Sequence, residues 1–127
     1  MTLTKSMDTL HIEATKQFPE ILFRPDGHLR ISGRLIHDHL QDFFHPLYIW
    51  IDKANCDYAQ IDIDLEYLNT TGAFHLAELI HRIEANKAIK NIGIVWHYEE
   101  DDEEHYDLGS FIEHKIKRAK FNYLSHA

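Results

Sequence analysis

Between Ile61 and Tyr67 the chain alternates, with Ile61, Ile63, Leu65 and Tyr67 on one side and Asp62, Asp64 and Glu66 on the other. A period of two predicts a strand buried on one face. After Asn69-Thr70-Thr71-Gly72 the spacing becomes helical: Ala73, Leu76, Leu79, Ile80 and Ile83 make one apolar stripe of a helix that ends near Asn86. The strand therefore runs straight into the helix, with two hydroxyls at its N-terminus.

The flanking segments follow the same two periods. Leu10 to Thr15 alternates weakly and predicts an edge strand. Ile21-Leu22-Phe23 and His28 to Ser32 flank Arg24-Pro25-Asp26-Gly27, a turn signal that predicts a hairpin with Leu29 and Ile31 inward. From Asp38 to Lys53 a helical stripe of Leu40, Phe43, Phe44, Leu47 and Ile51 is interrupted by Pro46, which predicts a bend near Asp42 to His45. Tyr48 and Trp50 lie off that stripe, either packed under a neighbour or on a contact surface. Asn91 to Tyr98 is a strand with Ile92, Ile94, Trp96 and Tyr98 on one face. A helix to about Lys117 follows the acidic run Glu99 to Glu104, with Tyr106, Leu108, Phe111, Ile112 and Ile116 apolar, and Phe121 to Leu124 forms an optional short strand.

The order ββαβαβα, with that optional strand, predicts an α/β fold built on a mixed sheet. Three carboxylates on the second face of the central strand leave no apolar surface for a helix to cover. The helices are therefore expected mainly on one side, with the other face open.

Composition narrows the function classes. At 127 residues the chain is read as a single domain over 1–127, with its core at about 10–124. The longest apolar run, Leu47 to Ile51, is too short to span a membrane, and Met1 to Asp8 has no signal-peptide core. One cysteine, Cys56, excludes an internal disulfide, and together these features predict a cytoplasmic location without membrane insertion. A net charge of −8 argues against nucleic-acid binding and favours basic partners.

The junction at Asn69–Gly72 is the main candidate for chemistry. Free N–H groups and the positive end of the dipole favour an anion there, so phosphate on Thr70 or Thr71 would be stabilised. The plainer reading is that Asn69, Thr70 or Thr71 is an N-cap. The eleven histidines show no His-x2-His or His-x3-His pair, and only His37 and His39 lie close. Asp62, Asp64 and Glu66 carry oxygen ligands suited to a divalent cation, but they equally suit the wet face of a strand. The acidic run suits the N-terminus of the next helix, or a basic patch on a partner. No phosphate-binding loop, dinucleotide fingerprint, nucleophile elbow or Cys/His dyad is present, so no cofactor is expected.

Four segments in order carry a resemblance over roughly residues 10 to 124: Ile31-Ser-Gly33, Phe43-Phe44 with Pro46 and Trp50, Leu65-Glu-Tyr-Leu-Asn-Thr-Thr71, and Val95-Trp-His-Tyr-Glu-Glu-Asp-Asp-Glu103. Thr15 and Pro19 add to it. Together they resemble the SiaC family of bacterial regulatory phosphoproteins, similar in fold to STAS-type anti-anti-sigma domains. The resemblance implies a regulator rather than an enzyme. Its unphosphorylated form would bind and activate a diguanylate cyclase, in cyclic-di-GMP signalling. A dedicated Ser/Thr kinase and a PP2C-type phosphatase would act on the Thr after the Asn, which is Thr70. The STAS string Asp-Ser-Ser-Gly instead aligns Thr71 with the acceptor. Asn69, Gly72, Phe74, Glu99, Glu100, Asp101 and Asp102 are the expected partner-binding residues.

The chain departs from the family pattern at Leu35-Ile36-His37-Asp38, where Ser-Tyr-Pro-Glu is usual, and at Thr71-Gly72-Ala73-Phe74, where Ser-Ser-x-Lys is usual. Two alternatives stand beside the switch. One is a metal-dependent or acid/base enzyme using His37, His39 and the strand carboxylates. The other is a scaffold that kept the fold and lost the switch.

Overall fold

The Pro-Asp-Gly turn produces the hairpin it predicts. In the computed structural model, which describes residues 8–37 and 39–127, strand β2 (Glu20–Phe23) runs antiparallel to β3 (His28–Leu35), with Ile21 opposite Ile31. Gly27 closes the turn at φ +98°, where a side chain is strained. Strand β1 (Leu10–Ile12) pairs with β2 at the sheet edge and stops before Thr15, whose hydroxyl accepts the N–H groups of Gln17 and Phe18 in a local turn. The readings on Met1–Met7 (no leader) and on Asp38 (start of the first helix) lie outside the described residues.

The remaining elements alternate: α1 (Gln41–Lys53), β4 (Tyr58–Leu68), α2 (Thr70–Ala85), β5 (Asn91–Glu99), α3 (Glu103–Glu113) and β6 (Lys120–His126). Strands β3 to β6 are parallel, and spatial order equals chain order, β1-β2-β3-β4-β5-β6. Each crossover steps one strand in the same direction, so right-handed connections place every helix on the same face. The helices meet there: Tyr48 of α1 bonds His75 of α2, and Phe74 of α2 packs edge-on against Phe111 of α3. The result is the expected α/β fold, a mixed sheet with helices on one face. The optional last strand is fully formed.

The core lies between sheet and helices. Ile61, Ile63 and Leu65 of β4 and Ile92, Ile94 and Trp96 of β5 are buried with Leu47 and Ile51 of α1 and with the whole α2 stripe. Tyr48 and Trp50 both pack: Trp50 donates its indole N–H to the Asp8 carbonyl at 2.9 Å and lies beside Phe23. Pro46 does not divide α1, which runs from Gln41 through Lys53. The ring removes the bond to the Asp42 carbonyl, which belongs to an exposed residue of the first turn, where water can replace it.

Two elements depart from the sequence pattern. Tyr67 does not share the inward face of Ile61, Ile63 and Leu65; it is 54% exposed. The β3–β4 register slips between Gly33 and Arg34, so that Gly33 pairs with Leu65 but Arg34 with Tyr67, leaving Glu66 as a bulge that turns Tyr67 outward. Gly33 takes φ +122° at that slip. Helix α3 ends at Glu113 rather than near Lys117, because the Glu84 carboxylate accepts the backbone N–H groups of Lys117, Arg118 and Ala119 and turns the chain into β6.

Candidate functional site

The C-terminal ends of parallel strands β3, β4 and β5 lie along one edge of the sheet, and the junctions leading into α2 and α3 lie there too. At the end of β4, Asn69 adopts an extended conformation and its side-chain oxygen accepts the Gly72 N–H at 2.8 Å. Asn69 is therefore the N-cap, and the threonines are not. Both Thr70 and Thr71 are exposed, and among the described residues no side-chain hydrogen bond engages either hydroxyl. Gly72 is buried beneath Leu68 and Leu35: a β-carbon there would stand 2.6 Å from Leu68 Cδ1. It shapes the junction rather than offering surface.

Thr70 lines a groove of about 520 Å³ between α2 and α3 with Leu68, Ala73, Phe74, Leu108 and Phe111. Thr71 is not in it. Phe74 meets Phe111 edge-on yet is 56% exposed at the groove mouth, so one side of its ring is presented. Glu104, the end of the acidic run, also lines the groove, together with Asp107, which no sequence signal marked. Glu99, Glu100 and Asp101 are exposed at the end of β5, on the same edge but outside the groove wall. Asp102 caps α3, accepting the His105 N–H at 3.0 Å. One acidic run thus supplies a helix cap and a charged rim.

Four large apolar side chains are exposed along this edge: Ile36 just past β3, Tyr67 at the end of β4, Phe74 in the first turns of α2 and Tyr106 in those of α3. Exposed aromatic side chains are enriched at protein-binding surfaces; here Tyr67 lies on the open face beside Arg34 and Phe74 beside the groove. Next to Tyr106 in the chain, His105 is buried and stacks on Trp96, and its desolvation holds the imidazole below the usual range.

The residues of the enzyme alternative are engaged separately. His37 stacks on Phe18, and its Nδ1 accepts the backbone N–H of His39 at 2.9 Å. Asp62 faces the open side of the sheet, 3.0 Å from His97 Nε2, while His97 Nδ1 meets His126 Nε2 at 2.9 Å. Asp64 lies 3.9 Å from Arg30, and Glu66 sits in the bulge. Among the described residues no group of three or more His, Cys, Asp or Glu is arranged to hold a metal. Among the same residues no helix is long and apolar enough to cross a membrane.

None of the curated proteins compared with the chain matches it. Among solved structures, SiaC of Pseudomonas aeruginosa superposes with a TM-score of 0.82 at 22% identity, over 94% of this chain and 100% of that one. A chain of the crystal structure of diguanylate cyclase SiaD in complex with its activator SiaC, from the same organism, gives 0.81 at 22% identity, over 92% and 99%. At that identity the likeness establishes the fold. The model of the SiaC family of regulatory phosphoproteins matches residues 12–126, nearly the whole described sheet and its helices, and the chain belongs to that family.

Proposed function

We propose that this chain is a non-enzymatic regulator whose C-terminal sheet edge docks a signalling enzyme, a diguanylate cyclase, and that phosphorylation of Thr70 releases it. A Ser/Thr kinase would add the phosphate and a PP2C-type phosphatase would remove it. The observation that carries this reading is the division of labour at the junction: Asn69 takes the cap, which leaves Thr70 exposed inside a groove walled by Phe74, Leu108 and Phe111. Thr71 remains the second acceptor, but its exclusion from the groove favours Thr70. The complex of SiaD with its activator SiaC supplies the class of partner.

The physics suits an on–off contact. A phosphate brings about −1.5 to −2 charges to a position where helix N–H groups stabilise it in the free protein. A partner covering Phe74 would have to desolvate that dianion beside Glu104 and Asp107. A penalty of about 3 kcal/mol weakens binding more than a hundredfold.

The test has two parts. Phosphopeptide mapping of protein recovered from its native cell, with phosphatases inhibited, identifies the acceptor. Binding of a diguanylate cyclase is then compared for wild type, the phosphorylated protein and Thr70→Ala. The proposal requires phosphate on Thr70, cyclase binding by wild type and Thr70→Ala, and loss of binding on phosphorylation. Absence of phosphate on both threonines across growth conditions would reject the switch and leave a scaffold with an ordinary cap.

A further inference from the structure

The bulge that turns Tyr67 outward also places it opposite Arg34. The Arg34 guanidinium carbon lies 4.7 Å from the centre of the Tyr67 ring, a cation–π contact on the open face at the same sheet edge. Four residues earlier on this face, Arg30 has Asp64 at 3.9 Å. Arg34 has no such partner among the described residues, although Glu66 stands across the bulge. Its Nε is buried and out of a partner's reach, while neither terminal Nη makes a side-chain hydrogen bond among the described residues. An arginine whose outer donors are unpaired beside an exposed aromatic ring is placed to take an anion.

We propose that Arg34, laid on Tyr67, is a receptor for a carboxylate side chain of the docked protein partner. The inference rests on the docking reading above and adds the chemistry of one contact. A guanidinium presents its donors in a rigid planar fork that matches a carboxylate in bidentate fashion, which an ammonium cannot do. Stacking on Tyr67 fixes the plane of that fork before the partner arrives, so little side-chain entropy remains to be lost. The bulge and Gly33 hold the arrangement from below, which is how bulges commonly re-aim side chains.

The test uses the isotope-labelled full chain and two blocked peptides, acetyl-Ala-Glu-Ala-amide and acetyl-Ala-Gln-Ala-amide, followed by NMR at the Arg34 Nε–H and the Tyr67 ring. The expected result is a saturable shift at both groups with the Glu peptide and none with the Gln peptide. Arg34→Lys, with an unchanged amide spectrum, should weaken the response at Tyr67 roughly tenfold. Equal shifts with both peptides, parallel shifts at Arg24 and Arg30, or a silent Arg34 would overturn the assignment. Binding of the cyclase separates the two readings. If Phe74→Ala loses it while Arg34→Lys binds like wild type, docking stands and the carboxylate receptor falls. If Arg34→Lys loses it as well, the receptor is supported.

Discussion

Gly109 lies flush against the indole of Trp96: a β-carbon on Gly109 would stand 2.6 Å from Nε1. The same Nε1 donates to the His105 carbonyl at 3.1 Å, so the first half of α3 rides directly on β5. Leu108 and Phe111, the α3 wall of the groove, take their position from this contact. Gly109→Ala is expected to cost about 1–3 kcal/mol through overpacking. A lower urea midpoint at unchanged slope would show it.

Asn69→Ala should destabilise by about 1 kcal/mol, because the Gly72 N–H loses its acceptor, whereas Asn69→Asp should stay near wild type. Thermal unfolding of the three proteins decides this. A neutral Asn69→Ala would mean that a threonine can take over the cap, and the hydroxyls would then not be free for modification.

The Glu84 carboxylate accepts three consecutive backbone N–H groups, and Arg118 donates to the carbonyls of Glu84, Asn86, Ile89 and Lys90. Glu84→Ala is expected to cost about 1–3 kcal/mol. Hydrogen exchange should speed up first in β6, before the sheet as a whole is affected.

Stability should also depend on pH through His105. Burial depresses its folded pKa, and burial does the same to His75. The unfolded chain then binds more protons below its own value of about 6.5. The stabilisation is full above about pH 6.5 and is lost as pH falls through the folded value. Between about pH 7.5 and pH 5 the wild-type melting temperature should fall more steeply than that of His105→Phe, which keeps a ring on Trp96 but takes no proton. Parallel slopes in calorimetry would remove His105 as the cause.

Phe74 is mostly exposed but meets Phe111 edge-on, so Phe74→Ala should cost only about 0.5–1.5 kcal/mol in stability. As an aromatic anchor at the groove mouth it should cost about 2 kcal/mol in cyclase binding, close to thirtyfold by titration calorimetry.

The buried faces were legible because alternation and helical spacing report directly which side of an element meets the core. Ile61, Ile63 and Leu65 and the α2 stripe from Ala73 to Ile83 all lie where those periods place them. Tyr67 breaks the rule because the bulge at Glu66 depends on the β3–β4 register and on the backbone of Gly33, neither of which has a period. The end of α3 was hidden for a similar reason, since Glu84 acts from 33 to 35 residues away. At the site, the Thr70 junction was visible as a change of period. Glu104, Asp107, Leu108 and Phe111 were visible only as parts of α3, because a linear pattern does not say what stands across a groove. Asp62 and His97 could be assigned to outward faces, but their meeting requires strand order and register as well.

Every strand of the sheet bonds to the strand that precedes it in the chain. No strand must be threaded between two that are already paired. The sheet can grow by addition as the polypeptide leaves the ribosome, each βα unit settling on a finished edge. Strand β6, the edge of the sheet opposite β1, pairs with β5 alone and is pinned at its start by the Glu84 and Arg118 contacts, so this edge locks only after the strands before it are in place.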